Sequence, residues 1–184
     1  MSLQPLFTGQ LVRLAALDKA DHEIMAQWTK DEEYMRMLDA DAARPMSREA
    51  VDKFQEQFNN PNTYEFRIRT LNDDTLIGFV ALEVQWTCQN AWFAIGIGNP
   101  DYRGKGYGTD ALHLALRYAF NELGLYRVSL NVFSYNTRAI RVYEKAGFTR
   151  EGVLREILYR DGQRWDMIYY GILRHEWESG SRKS

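Results

Sequence analysis

The chain has 184 residues, 45% of them hydrophobic and 26% charged, the balance of a globular protein large enough to fold on its own core. Lys and Arg number 23 against 25 Asp and Glu, for a net charge of −2, so there is no general affinity for nucleic acid and any basic site must be local. The single cysteine, Cys88, excludes an internal disulfide and a thiolate zinc cluster, and no apolar run approaches the ~18 residues of a membrane span.

The opening MSLQPLFTG lacks the basic and apolar regions of a signal peptide, so the expected setting is cytoplasmic. GQLVRLAAL alternates weakly and predicts a first strand. DKADHEIMAQWTKDEEYMRML carries Ile24, Met25, Trp28, Tyr34, Met35 and Leu38 at helical spacing, with Asp18 or Asp21 as cap. A further helix restarts at Ser47, with Val51, Phe54 and Phe58 along one side. From Tyr64 the period becomes two: YEFRIRTL and LIGFVALEVQW flank NDD as a hairpin, and NAWFAIGIGNP is a third strand. Gly96 and Gly98 within it mark a bulge or the close approach of a ligand or backbone.

Next comes DYRGKGYGTDALHLALRYAF. Ala111, Leu112, Ala115, Leu116, Ala119, Phe120 and Leu123 form one apolar stripe, so an amphipathic helix runs to Gly124. YRVSLNVF is a strand, with Asn131 on the face away from Val128, Leu130 and Val132. YNTRAIRVYEKAGF is a helix capped by Asn136 and closed by Gly147. GVLREILYR and RWDMIYYGIL flank Asp161-Gly162 as a hairpin. The predicted fold is α/β (α+β): a mixed, mostly antiparallel seven-stranded sheet with one central parallel pair and helices on both faces. One domain covers 1–178, followed by a polar tail at 179–184.

Gly104, Gly106 and Gly108 sit where strand gives way to helix. A helix start presents unpaired N–H groups and partial positive charge, and glycines let a ligand approach the backbone. Arg103 and Lys105 add charge. The pattern suits a diphosphate, whereas a plain tight turn needs only one glycine. The spacing matches neither the P-loop nor the dinucleotide fingerprint, leaving R-x-x-G-x-G from Arg103 to Gly108.

RGKGYG on a strand–turn–helix resembles the acetyl-coenzyme A loop of the GCN5-related N-acetyltransferases. NVFSYNTRAIRVYEKAGF is similar to their later motif at Asn136, Ala139, Tyr143, Gly147 and Phe148. REILYRDGQRWDMIYYGILRHEW resembles the closing hairpin of the branch that acetylates ribosomal-protein N-termini and, in close relatives, spermidine. The resemblance covers roughly Leu76 to Trp177. It implies a sheet splayed at the parallel pair and direct attack of an amine on acetyl-CoA. The coenzyme would be held by backbone at Ile95, Gly96 and Ile97, by the segment Arg103, Gly104, Lys105, Gly106, Tyr107, Gly108 and Thr109, and by Asn131 and Asn136. Tyr143 would serve the leaving thiolate.

Members of this branch often carry a glutamate where Trp92 stands, so the branch's usual base is missing; Glu83 on the neighbouring strand and Asp166 in the final hairpin are the substitutes, directly or through water. An α-amine near pKa ~7.8 costs about 1 kcal/mol to deprotonate at pH 7, against about 4.6 for an alkylamine near ~10.4. A site without a dedicated base therefore favours peptide N-termini, with a polyamine or other small amine as the alternative. Trp86, Trp92 and Trp165 are candidates to line the amine pocket. Possible partners are the amine and a second copy of the chain in a homodimer, with no direct nucleic acid and no membrane. His22, His113 and His175 lack metal-ligand spacing, so no metal is expected. From another class, a non-catalytic acyl-CoA-binding module or an unrelated nucleotide-binding protein would use the same cradle.

Overall fold

The computed structural model describes residues 5–56 and 60–181. Strand β1 (Val12–Ala15) leads through a short turn to helices α1 (His22–Trp28), α2 (Glu32–Leu38) and α3 (Arg48–Glu56). Then come β2 (Thr63–Thr70), β3 (Leu76–Gln85) and β4 (Asn90–Ile97). Helix α4 (Tyr107–Arg117) runs into a wider π-type turn, followed by β5 (Arg127–Phe133) and α5 (Thr137–Lys145). The hairpin β6 (Thr149–Arg160) and β7 (Gln163–Leu173) leads into α6 (Arg174–Ser181).

Together the strands form one seven-stranded sheet in the order β1-β2-β3-β4-β5-β7-β6. Every neighbouring pair is antiparallel except β4 and β5. These two pair only from Asn90↔Arg127 to Trp92↔Ser129, although β4 continues to Ile97 and β5 to Phe133. Beyond Trp92 the sheet is therefore split, and the rest of β4 has no β5 partner.

Adjacent strand residues point to opposite faces, and the two faces have separate cores. Val80, Leu82, Phe93, Val128 and Leu130 pack with Leu112, Leu116 and Tyr143 beneath α4 and α5. On the other face Phe79 and Leu76 meet Met25, Trp28, Tyr34 and Val51 of α1, α2 and α3.

Local chemistry explains the ends. Asp18 accepts from the Ala20 amide at 2.9 Å, whereas Asp21 caps nothing: it is buried and pairs with Arg69. Ser47 accepts from the Ala50 amide at 3.2 Å. Val51 is buried and Phe54 is 40% exposed, while Phe58 lies outside the described residues. Gly147 closes α5 at φ 94°, and Asp161-Gly162 turns at φ 51° and 77°, the left-handed pair a two-residue hairpin needs. The expected polar tail is helical as far as Ser181, because α6 continues directly from β7 and Glu176 accepts from the Leu173 amide at 2.8 Å.

At Gly96 and Gly98 it is the chain's own aromatics that come close. A Cβ on Gly96 would sit 2.8 Å from the Phe79 ring and 3.0 Å from the Tyr34 hydroxyl, and one on Gly98 would overlap Trp28. Helices α1 and α2 thus rest on bare backbone at the end of β4.

Candidate active site

The split in the sheet opens into a cavity of about 980 Å³. One wall is β4 from Trp92 to Ile97; the opposite wall is β5 from Asn131 to Phe133 together with the inner side of α5. The glycine loop closes one end, and Glu33, Tyr34, Met37 and Leu38 of α2 cover the other side.

Asn99 accepts from the Asp101 amide at 3.1 Å and forms the short turn Pro100–Tyr102. The chain then takes left-handed conformations at Gly104 (φ 72°) and Gly106 (φ 90°), which favour glycine. Gly106 begins α4 without a side-chain cap, so the first amides of the helix are left for another partner. Asp110 could have blocked this end. Its carboxylate instead accepts the amides of Gln10, Leu11 and Val12 at 2.9, 2.7 and 3.0 Å, and ties the start of β1 to α4. A Cβ at Gly104 would meet nothing within 4 Å, so the loop is an open cradle. Its bare amides are open to an anion.

Tyr143 reaches the cavity from α5, wedged between Phe93 (ring centroids 6.4 Å) and Phe148 (5.9 Å). Burial alone pushes its pKa up to about 12. Asn136 lines the cavity while its Oδ1 accepts the Ala139 amide at 3.2 Å, leaving its NH₂ donors available. Arg138, Arg141 and Lys145, at i, i+3 and i+7 of α5, put three cations along the same wall. Glu83 lies on the rim, paired across the sheet with Trp92 on one side and Thr63 on the other. Trp92 stacks edge-on against Tyr169 at 6.0 Å.

Of the residues singled out from sequence, Glu83, Ile95, Gly96, Ile97, Arg103, Gly104, Gly106, Gly108, Thr109, Asn131, Asn136 and Tyr143 all border this one cavity. Lys105 and Tyr107 do not; Lys105 is exposed, and Tyr107 packs on Tyr102 at 5.1 Å. The Arg103 side chain is not turned to the cradle either. Its Nε donates to the Ile97 carbonyl at 2.9 Å, Nη2 to that of Gly98 at 2.7 Å, and Nη1 pairs with Asp31 at 2.7 Å. Asp166 accepts the Glu156 amide at 2.8 Å in the β6–β7 hairpin, away from the cavity. Of the three tryptophans only Trp92 lines it; Trp86 donates to Asn62 and Trp165 packs on Tyr135.

Helix α2 was not singled out in the sequence as part of the site, although Tyr34, Met37 and Leu38 stand at i, i+3 and i+4. Both its ends are fastened. Asp31 caps it by accepting from the Tyr34 amide at 3.1 Å. At the other end Arg160 donates to the carbonyls of Arg36, Asp39 and Asp41 at 2.9, 2.6 and 3.1 Å, and the Tyr135 hydroxyl also donates to Arg36. Among the described residues there is no cluster of three metal-ligating side chains, and no helix is long and apolar enough to cross a membrane.

The sheet is opened at its one parallel pair, with an uncapped helix start at the end of the gap and a buried phenol on its wall. The chain belongs to the GNAT acetyltransferases: residues 12–149 match the acetyltransferase (GNAT) domain. Spermidine N(1)-acetyltransferase of Escherichia coli K12 is 30% identical over 167 residues, 90% of this chain and 88% of that protein. YdaF of Bacillus subtilis, a putative ribosomal N-acetyltransferase, is 40% identical over 78 residues, 42% of this chain and 43% of its own. The crystal structure of spermidine N-acetyltransferase from Vibrio cholerae in complex with CoA and spermine matches with a TM-score of 0.81 at 25% identity, over 91% of this chain and 98% of that one.

Proposed function

We propose that this N-acetyltransferase moves the acetyl group of acetyl-CoA to a primary amine of a small polycationic molecule of the polyamine type. The single observation that carries the reading is that one cavity joins the glycine cradle, Tyr143, and a rim carrying Glu83 beside Trp92. Among the described residues no cation pairs with Glu83, so it is available to a second ammonium of the acceptor. The Trp92 ring offers the same ammonium an aromatic face. The likeness to spermidine enzymes along nine-tenths of the chain supports a small amine over the peptide N-terminus expected from the lack of a base. A homodimer in a cytoplasmic setting belongs to the same proposal.

The amides of Gly104 to Thr109 would hold the diphosphate, with Arg141 and Lys145 nearby to balance phosphate charge, and the free edge of Ile95 to Ile97 would bind the pantetheine arm as an added strand. When bound, the coenzyme supplies a thioester for the amine to attack. Asn136 has donors for the arm. Deprotonation of an alkylamine demands about 5 kcal/mol at pH 7, and with Glu83 engaged by the second ammonium that proton leaves to water. Tyr143 donates a hydrogen bond where negative charge grows on sulfur. Full proton transfer from a phenol at about 12 to a thiolate near ~8.5 in water is uphill by about 5 kcal/mol, so the hydrogen bond is the larger contribution.

Thiol release from acetyl-CoA should proceed with spermidine at a kcat/KM at least tenfold above that of a ribosomal N-terminal peptide or an aminoglycoside. A peptide preference would reverse the acceptor assignment, and no thiol release with any amine would favour a non-catalytic coenzyme-binding module. Glu83→Gln should raise the KM for spermidine by about fivefold, because an exposed ion pair is worth at most about 1 kcal/mol.

The pH profile separates the tyrosine from the amine. Because burial raises its pKa, Tyr143 stays protonated in the folded enzyme where an exposed tyrosine, at ~10, begins to ionise. A limb of the kcat/KM profile between pH 7 and 10 should therefore belong to the amine or its base and persist in Tyr143→Phe. The sign for stability follows: above pH ~10 the unfolded chain gains from releasing this proton and the folded chain does not, so the tyrosine destabilises the fold there.

A further inference from the structure

We propose that Arg103 is a positioning residue that couples the coenzyme cradle to helix α2, the wall of the cavity formed by Glu33, Tyr34, Met37 and Leu38. Its backbone lies in the glycine loop, and its guanidinium is spent on the other side of the cavity. Besides the bonds to the Ile97 and Gly98 carbonyls and to Asp31, it lies 5.5 Å above the Tyr34 ring and 3.9 Å from Glu33. The side chain is only 10% exposed.

Turning the guanidinium toward a phosphate would leave two carbonyls and a carboxylate without their donor. Each charge-assisted bond contributes roughly 1.5–3 kcal/mol, so one new phosphate contact does not offset three lost partners. Arg103 therefore keeps hold of α2 while its own amide neighbourhood grips the donor.

Helix α2 needs such a hold. Helix α2 has seven residues, too few to be stable alone, so its order comes from its anchors. Tyr34 rests on the bare backbone of Gly96, and Asp31 is both cap and ion-pair partner. Fixing the loop on a diphosphate fixes the root of Arg103, and through Asp31 the first turn of α2. The far end is held by Arg160, whose contacts among the described residues do not include the glycine loop. Binding of the donor thus tightens the α2 wall of the cavity. This coupling rests on the coenzyme assignment above.

Hydrogen exchange of the full chain, with and without saturating coenzyme A, tests it without knowledge of the amine. In the unsubstituted protein, exchange of the α2 amides should slow by about fivefold or more on coenzyme addition, the lower range of typical coupling between sites. In Asp31→Asn, which can still cap Tyr34, and in Arg103→Met, the slowing should stay within about twofold while the glycine-loop amides remain protected. Equal slowing of α2 in all three proteins would overturn the coupling, as would protection of the loop without α2 in the unsubstituted protein. Both results leave the transferase assignment standing. No protection of the loop at all would remove that assignment and the coupling with it. If Arg103→Met fails to fold, Asp31→Asn decides.

Discussion

Tyr143→Phe is expected to lower kcat tenfold or more with little change in the KM for acetyl-CoA. In the proposed mechanism the hydroxyl acts in the transition state, where charge builds on sulfur, and little in ground-state binding, so kcat and kcat/KM should fall together. Phenylalanine preserves the ring contacts with Phe93 and Phe148 and the seat in the core, so the fold is not perturbed. The elevated pKa fixes the form of the contribution. In a site dry enough to push a phenol to about 12, a hydrogen bond to developing charge is worth more than in water. Loss of one such donor typically removes 10²–10³ in rate at an oxyanion site, and the softer sulfur acceptor places the expectation nearer tenfold. Steady-state rates at saturating amine and acetyl-CoA decide the matter, and an unaltered kcat would take Tyr143 out of the chemistry.

The largest effect on stability is expected at Gly78→Ala. Gly78 is buried in β3, paired with Ile68 of β2 and Ile97 of β4. A methyl there would overlap the carbonyl oxygen of Gly96, which is backbone and held in the sheet. Relief requires β3 and β4 to part where β4 already lacks a β5 partner. Overpacking of this kind costs about 2–4 kcal/mol, which lowers the melting temperature by roughly 5–10 °C in a protein of this size. Gly152→Ala is the control: its Cβ would meet nothing within 4 Å, and its melting temperature should barely move. Matching melts for the two variants would disprove the packing argument.

Local signals carried most of the fold and much of the lining of the candidate site. Asp161-Gly162 specifies its hairpin by the left-handed pair alone, and the stripe from Ala111 to Leu123 specifies a helix packed on a sheet. Gly104 and Gly106 read as a cradle because few other uses call for such bare backbone. Less legible was everything joined over long separations. Nothing near Arg103 in the sequence says that its guanidinium belongs to Asp31, since that pairing exists only once α2 has packed on β4. Asp110 looks like an ordinary first-turn acid until the start of β1 is laid across it. Glycines 96 and 98 announced a close approach but not by what, because a small residue records only missing volume. The wall formed by Tyr34, Met37 and Leu38 was hidden for a related reason: helical spacing marks an inward side and does not say whether core or cavity lies there.

Arg160 grasps α2 and the segment after it through the carbonyls of Arg36, Asp39 and Asp41, groups that every amino acid presents alike. Such a clasp is blind to side-chain identity. The α2 residues that line the cavity can therefore be exchanged by drift and selection while the scaffolding that steadies them stays the same.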